Sequence, residues 1–188
     1  CTIDFSAATP VSATDIRIQG SNTSQAIAAI RVDAPLSIGD THLGGVVFEV
    51  NNCNIGKVIS DPAATGKWSN QNVHVVTSTS AASGPQNTDA IIASPGCDDA
   101  SQCAAYYCRD KGAEWYLSAS DELLTISNAL CPVSGSPPYP CIYGVSGNIW
   151  SSSEFSSLKA LSREMGVGPD TSDKPINLDV RCTRAFTP

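Results

Sequence analysis

The chain has 188 residues, of which 41% are hydrophobic and 15% charged, so it can bury a core and wholesale disorder is excluded. Its formal net charge is −7 and it contains no basic run, which argues against nucleic acid and polyanionic surfaces as main partners. No apolar run approaches the roughly 20 residues of a membrane span. No signal peptide is visible, so we expect the numbering to begin inside a processed or trimmed protein.

Residues 1–36 have the pattern of β-structure. Apolar residues alternate over 15–19, a turn follows at 20–24, and a second strand over 26–32 closes at Pro35. Two or three strands with one apolar face do not make a stable domain alone. We therefore interpret residues 1–36 as the end of a sandwich domain or as a pairing hairpin, and residues 37–188 as the main domain.

The main domain opens with a predicted hairpin, in which residues 46–50 pair with 57–60 across a turn at 51–54. Residues 61–88 are typical of a long polar loop. Within it, 73–76 is a strand candidate, and one or two helical turns are predicted from Asn87 onward.

Two helices are predicted in the middle of the chain. The first runs from about Asp99 to Lys111, because acidic residues lie at its start, basic residues at its end and a glycine just beyond. The second begins within 118–122, where Ser118 and Asp121 fit a capping pattern, and ends at Cys131 before a proline.

Short strands and loops are predicted to follow the helices. In chain order they are a loop at 133–140, strands at 148–154 and 160–167, a polar loop at 168–175 and a closing strand at 177–186. In the closing strand Leu178, Val180 and Cys182 share one face, with Arg181 on the other. Strands, then two helices, then strands indicate an α+β fold rather than a parallel βαβ array.

The chain contains eight cysteines, which are many for its length: Cys1, Cys53, Cys97, Cys103, Cys108, Cys131, Cys141 and Cys182. The count is even, there is no C-x-x-C motif, and His42 and His74 lie near no cysteine pair. Disulfides therefore explain the cysteines better than a zinc site. We predict that all eight are oxidised and that the chain works outside the reducing cytosol.

Seven sequence blocks carry a resemblance to a known family. They are residues 39–50, Trp68, residues 87–92, 104–105, 114–123, 149–154 and 180–186. Over about residues 37–186 they resemble the Lcl C-terminal domain family, named for the tail of the Legionella collagen-like adhesin. Ser118 departs from it, because the family usually has proline there. Residues 1–36 more faintly resemble the last strands of an immunoglobulin-like bacterial surface domain.

The resemblance implies an α+β fold related to C-type lectin domains, a binding role on extracellular or surface proteins, and no established catalytic residues. A lectin-like topology ties the first helix to the last strand, which implies the disulfide Cys108–Cys182. The full predicted set is Cys108–Cys182, Cys131–Cys141, Cys97–Cys103 and Cys1–Cys53. In the alternative, Cys53 pairs with Cys97 or Cys103.

The residues suggest no catalytic constellation, and the chain is predicted not to be an enzyme. The serines of 150–154 lack a G-x-S-x-G motif and a histidine partner, so a hydrolase is the weakest hypothesis. Asp121 and Glu122 are explained by a helix N-terminus. Trp115 and Trp150 are predicted to pack in the core.

The predicted function is extracellular adhesion to a host or matrix glycan. Binding is expected on loops 61–88, 133–147 and 168–175, because ligand sites favour loops on a rigid scaffold. The candidate residues are Trp68, expected to be exposed, with Asn70, Asn72, Tyr139, Tyr143 and Asp170. No cofactor is expected, although Asp170 and Asp173 make calcium an alternative. A heparin-type ligand is not expected, since these loops hold only Lys67 and Lys174 as cations.

The alternative function is structural: a subunit of a surface fibre, pilus or trimeric stalk that binds copies of itself. Unpaired strand edges in residues 1–36 would recruit neighbouring chains, so a homo-oligomer is expected.

Overall fold

The computed structural model describes residues 35–61, 64–98, 103–132 and 140–187. The chain divides into two units, Cys1–Pro35 and Leu36–Pro188. The predictions for residues 1–34, for Cys1 and for Tyr139 fall outside the described residues. The described part of the second unit is an α+β fold with three helices and two five-stranded sheets.

The elements follow one another along the chain, and their bounds are close to those predicted for the hairpin, for the second predicted helix and for the strand at 148–154. They are β1 (Thr41–His42), β2 (Gly45–Val50), β3 (Gly56–Ser60), β4 (Ala64–Gly66), α1 (Gly84–Ile92), α2 (Ala104–Asp110), β5 (Tyr116–Leu117), α3 (Ser120–Leu130), β6 (Asn148–Glu154), β7 (Lys159–Glu164), β8 (Gly168–Asp173), β9 (Leu178–Val180) and β10 (Cys182–Phe186). Sheet A has the order β1-β2-β3-β10-β5, and sheet B the order β4-β9-β6-β7-β8. None of the helices described has the length and apolar character of a membrane span.

The predicted closing strand is divided between the two sheets. β9 pairs with β4 and β6 in sheet B, whereas β10 pairs with β3 and β5 in sheet A. Arg181 lies at the change of sheet and is almost completely buried, with its guanidinium donating to the carbonyls of Ser60 at 3.1 Å and Gly144 at 2.6 Å. The prediction of one continuous strand over 177–186 was wrong, because alternation does not reveal a change of pairing partner.

Residues 168–175 were predicted to be a loop, but the first six of them form the strand β8. This strand pairs with β7 in an unbroken antiparallel register from Glu164–Gly168 to Lys159–Asp173. Its sequence is polar because β8 lies at the edge of sheet B, where side chains meet water. A polar edge strand and a polar loop have the same composition, so the sequence did not separate them.

The structure corrects three further predictions, on the length of α1, on residues 73–76 and on the cap of α3. α1 is longer than the predicted one or two turns, and the strand candidate at 73–76 pairs with no strand described. α2 begins at Ala104; residues 99–102, where its start was predicted, lie outside the described residues. Ser118 does not cap α3: its hydroxyl bonds to the Thr183 hydroxyl in the core, and Ala119 occupies the N-cap.

Three disulfides are formed between described cysteines, and they are the pairs that were predicted. Cys108–Cys182 ties α2 to β10, with 5.3 Å between the Cα atoms. Cys97–Cys103 and Cys131–Cys141 close short loops, with Cα separations of 5.0 and 3.9 Å. Cys53 is also disulfide-bonded, but not to Cys97 or Cys103, which excludes the alternative pairing. No free thiol remains among the described cysteines.

The core lies in two clusters. The larger contains Trp68, Trp115 and Trp150 with the Cys97–Cys103 and Cys108–Cys182 disulfides. The smaller lies under α3, around Leu123, Ile126 and Leu130. The core positions predicted for Trp115 and Trp150 agree with this arrangement, and Trp150 also donates from Nε1 to the Gly66 carbonyl at 2.8 Å.

Candidate interaction surface

The segment between β4 and α1 is an irregular loop held in place by side chains from distant parts of the chain. We call residues 69–83 the Ser/Thr loop. The Glu154 carboxylate accepts a hydrogen bond from the Val75 N–H at 2.9 Å, and the Glu154 N–H donates to the Thr77 hydroxyl at 2.6 Å. The Lys174 ammonium donates to the Val73 carbonyl. The end of β6 and the turn after β8 therefore fix the course of this loop.

Glu154 and Lys174 form a buried ion pair at the base of the loop. The Lys174 side chain has 0% exposure and that of Glu154 has 4%, and the ammonium also lies 4.6 Å from the centre of the Trp68 ring. His74 reaches the same carboxylate from outside, with Nδ1 at 2.5 Å from Oε2. Lys174 was counted from the sequence as one of only two cations on the candidate loops, but it is buried and paired. Because a buried charge is tolerated only when it is paired and hydrogen-bonded, this pair makes the loop conformation specific.

A second set of contacts fixes the other half of the loop. The Asn87 side chain on α1 donates to the Ser78 carbonyl at 2.6 Å and accepts from the Ser78 N–H at 2.9 Å. The Ser153 hydroxyl donates to the same carbonyl at 2.8 Å, and the Ser83 hydroxyl donates to the Ser80 carbonyl at 2.6 Å. The loop is thus preorganised, which reduces the conformational entropy lost when a partner binds.

Beside the loop lies an open depression of about 380 Å³. It is lined by eight residues, none of them lysine or arginine: Val76, Thr77, Ser78, Ser80, Ala82, Ser83, Gln86 and Asn87. Most of its exposed lining is apolar, and the Asn87 amide is already bonded to Ser78.

The serines of β6 are not presented to a substrate. Ser151, Ser152 and Ser153 are buried, and their hydroxyls contact the Leu161 carbonyl, the Asn87 amide and the Ser78 carbonyl. These bonds explain the serine run as a way of joining β6 to its neighbours. Within the described ranges, no three His, Cys, Asp or Glu side chains come together as a group that could hold a metal ion.

The predicted ligand residues do not converge on one place. Trp68 was expected to be exposed but is fully buried, with its Nε1 donating to the Ser151 carbonyl at 2.9 Å. Asn70 is half-buried, with its N–H donating to the Gly96 carbonyl, whereas Asn72 is exposed beside Leu158. Trp68 belongs to the seven sequence blocks described above, as do Trp115 and Trp150, which were predicted to be core residues. This shared position could have identified Trp68 as a core residue too.

The two other described candidates lie elsewhere. Tyr143 is half-exposed in the turn before β6 and its ring lies against Gly39. Asp170 is exposed on β8 and accepts a hydrogen bond from the Asn148 amide at 3.3 Å. Asn72 and Asp170 line different depressions, and the binding surface predicted on the three loops stays a prediction.

Sequence reasoning missed an exposed apolar surface near the end of β6. Val76 is 83% exposed, Phe155 62% and Leu158 55%. The hydrogen bonds of Glu154 to Val75 and Thr77 hold Val76 beside the strand end, and Phe155 donates to the Lys159 carbonyl across the turn that contains Leu158. We call these three residues the end patch. In the sequence, a phenylalanine and a leucine within four residues of one predicted turn, Phe155 and Leu158, could have indicated this exposed apolar surface.

The edges of both sheets are poor templates for strand pairing. In the part of the chain described, the outer strands are β1, β5 and β4, which have only two or three residues, and β8. β8 is longer but carries Pro169, Asp170 and Asp173. Short edges, proline and charge all oppose the addition of another strand.

A second charged cluster anchors α3. Glu122 is completely buried and accepts from the Lys57 ammonium at 2.7 Å and from the Tyr116 hydroxyl at 2.9 Å. Burial raises the pKa of the Glu122 carboxyl, and Lys57 and Tyr116 oppose that shift. Burial, followed by the charge of Glu122, raises the pKa of Tyr116. Asp121 and Glu122 were both explained from the sequence by their place at a helix start. In the structure Asp121 is exposed there, whereas Glu122 is buried and joins α3 to sheet A.

Replacing Lys57 by methionine is expected to lower the free energy of unfolding by about 2 kcal/mol near neutral pH, because the Glu122 charge loses its partner. The folded-state pKa of Glu122 lies above its ordinary value, so folding takes up a proton between the two values and stability rises as the pH falls through that interval. Because Lys57 lowers the folded-state pKa of Glu122, Lys57→Met raises that pKa further and widens the interval between the folded and unfolded values. Urea denaturation should therefore show a larger deficit at about pH 7.5 than at about pH 5.

The matched control is Glu49→Gln, since Glu49 is half-exposed and its carboxylate lies 3.9 Å from the Lys57 ammonium. We expect it to change stability by less than about 1 kcal/mol at either pH. Equal deficits of Lys57→Met at both pH values would contradict the assigned role of Glu122.

Comparison with known proteins yields little similarity. No protein-family model matches the chain, and no curated protein matches it. A crystal structure of a fimbrial protein from Bacteroides ovatus is similar at 17% sequence identity with a TM-score of 0.38. The match covers 72% of this chain and 36% of that protein, so the chain spans about a third of its length. A likeness at this level supports no argument about fold or function.

Proposed function

We propose that the chain is a non-catalytic structural subunit of an extracellular surface fibre, and that its task is to bind copies of itself. The observation that carries this proposal is the end patch: Val76, Phe155 and Leu158 are more than half exposed on a turn and loop that buried groups hold rigid. Exposed apolar groups gathered at one place are typical of protein–protein contact sites.

The disulfides support an extracellular location. Three pairs lie within a unit of about 150 residues, and all described cysteines are oxidised. Disulfides of this density persist in oxidising compartments and are rare in the cytosol.

Self-association is expected to use side chains rather than strand addition within the described unit. Its outer strands are too short or carry proline and aspartate, as noted above for β8. The end patch, by contrast, loses exposed apolar area when another molecule covers it, and this is the main driving force of association.

The experiment is sedimentation of the 188-residue chain over a range of concentrations, followed by electron microscopy. We expect the chain to form concentration-dependent assemblies and Phe155→Ser to weaken them at least about tenfold in dissociation constant. Leu124→Ser, which removes an exposed leucine of α3, is the matched control and should leave assembly unchanged. A chain that stays monomeric at all concentrations would contradict the proposal.

Carbohydrate binding is the second candidate, favoured by the uncharged depression beside the Ser/Thr loop, whose lining includes the Gln86 amide. Its ligand would be a neutral host or matrix glycan, because no lysine or arginine lines it. A glycan array with the wild-type chain and Gln86→Ala tests this. Gln71→Ala, an exposed amide of the same loop outside the depression, is the control. Equal binding by both variants would exclude the depression as the site.

We also propose that residues 37–186 are related to the Lcl C-terminal domains and to C-type lectin domains. The support is the order of the seven sequence blocks and the Cys108–Cys182 link between α2 and β10. The immunoglobulin-like likeness of residues 1–36 remains a proposal from sequence alone.

A further inference from the structure

Arg163 of β7 is a buried cation for which the described residues offer no partner. Its exposed fraction is 9%, and within the described ranges its guanidinium forms no hydrogen bond or ion pair. The buried Arg181, by contrast, donates to two carbonyls. Burial lowers the pKa of Arg163. Because a buried charge is tolerated when it is paired, Arg163 is suited to pair with an anion from outside the unit.

The acidic residues closest to Arg163 in sequence and register lie on the other face of sheet B. Arg163 pairs in register with Pro169 of β8. Glu164 and Asp170 each follow one of these two residues, and successive side chains of a strand point to opposite faces. Asn148, the register partner of Glu164, donates to Asp170 at 3.3 Å, which agrees with this placement.

The acidic residues of α3, which packs against β6 and β7, are also distant from Arg163. They are Asp121 and Glu122 in its first turn. This turn lies near the end of β6, where the N–H of the first residue of α3 donates to the Ser153 hydroxyl. Arg163 pairs with Ile149, which precedes Ser153 by about 13 Å along β6. No described acid of sheet B or α3 therefore neutralises Arg163.

Space for a small molecule lies next to Arg163. An open depression of about 310 Å³ is lined by Leu161, Pro169, Asp170 and Thr171. Pro169 is the register partner of Arg163, and Leu161 lies two residues before Arg163 on the same face of β7. Most of the exposed lining is apolar. The depression thus offers aliphatic carbons beside a guanidinium whose Nε, but neither Nη, is a buried atom without a partner.

Asp170 limits the charge that a ligand can carry. Its carboxylate borders the depression, where it accepts from the Thr171 N–H at 2.7 Å and from the Asn148 amide at 3.3 Å. These donors reduce its negative charge but do not remove it. One guanidinium beside one carboxylate can hold a monoanion, whereas a dianion such as phosphate would stay partly unbalanced.

We propose that Arg163 and the depression beside it bind a short aliphatic monocarboxylate. A planar guanidinium matches a carboxylate with two parallel N–H···O bonds. The hydrocarbon chain of the ligand covers Leu161 and Pro169 and so removes apolar area from water. The site shares no residue with the end patch and does not depend on the proposed fibre function.

Titration of the 188-residue chain with sodium butyrate tests the proposal. The readouts are the NMR resonance of the Arg163 Nε–H, assigned by its loss in Arg163→Met, and the midpoint of urea denaturation. We expect butyrate to shift the resonance and raise the midpoint, acetate to bind more weakly, and neutral butyramide and inorganic phosphate not to bind.

Two variants and a control examine the groups of the site. Arg163→Met should lower butyrate affinity at least about tenfold. It should not lower the stability of the butyrate-free chain, because the guanidinium gives up no described partner. Asp170→Asn should raise butyrate affinity about threefold by removing a like charge. Arg184→Met, which removes a partly buried arginine paired with Glu114 at 3.2 Å, is the matched control and should bind butyrate like the wild type.

Each remaining outcome contradicts part of the proposal. A chain that does not respond to butyrate, or an Arg163→Met variant that is destabilised without butyrate, overturns it. Equal affinities for butyrate and acetate would exclude the depression from the site, and binding of phosphate as tight as that of butyrate would overturn the choice of a monocarboxylate. Sedimentation of Arg163→Met separates this proposal from the fibre function: we expect assembly like that of the wild type, and loss of assembly would assign Arg163 to a contact between copies instead.

Discussion

Removing the Cys108–Cys182 disulfide is expected to lower the free energy of unfolding by about 4 kcal/mol, the largest loss from any disulfide formed between described cysteines. The bond joins residues 74 apart in sequence, so its loss frees a long loop in the unfolded state. Both sulfurs also lie in the larger core cluster. The Cys131–Cys141 bond joins residues only 10 apart, and its loss should cost about 3 kcal/mol or less.

The measurement is urea denaturation of two double variants, Cys108→Ala/Cys182→Ala and Cys131→Ala/Cys141→Ala. Double variants leave no unpaired thiol that could exchange with the remaining disulfides. The single variants Cys182→Ser and Cys141→Ser should rank in the same order. Equal losses for the two bonds would show that the tie between α2 and β10 does not govern the stability of the unit.

Replacing Glu154 by glutamine is expected to cost about 3–5 kcal/mol, because the fully buried Lys174 ammonium then lacks its counter-charge. Besides lowering the free energy of unfolding, the replacement should weaken the structure of the Ser/Thr loop itself. Glu154 accepts from the Val75 N–H and donates to Thr77, so hydrogen exchange in residues 73–78 should accelerate more than in sheet A. Hydrogen exchange with mass spectrometry measures both effects.

Two further variants separate the buried charge from the hydrogen bonds. Glu154→Gln/Lys174→Met removes both charges and should be more stable than Glu154→Gln alone. Asp173→Asn removes a neighbouring carboxylate that is exposed, and should cost less than about 1 kcal/mol. If Glu154→Gln were as mild as Asp173→Asn, the ion pair would not be what holds the Ser/Thr loop.

The Ser/Thr loop was predicted from the sequence, because a long Ser/Thr-rich stretch without periodicity indicates a loop. The binding role given to residues 61–88 stays a prediction. Trp68 was predicted to be exposed, yet it is buried and its ring lies against the buried Lys174 ammonium, because a cation over an indole face satisfies both groups inside the core.

The α+β class, the β2–β3 hairpin, α3, β6 and the two short-loop disulfides follow from the sequence alone. These features depend on local periodicity, on turn residues and on cysteine positions, which are written along the chain. The Cys108–Cys182 pair was implied by the family resemblance. Tertiary structure alone decided that Arg181 marks a change of sheet, that residues 168–173 form an edge strand and that Glu154 pairs with Lys174. Arg181 and Glu154 have partners 121 and 20 residues away, and a residue's own neighbours in sequence carry no record of such a partner. β8 pairs with the nearby β7, but its polar composition is equally typical of a loop.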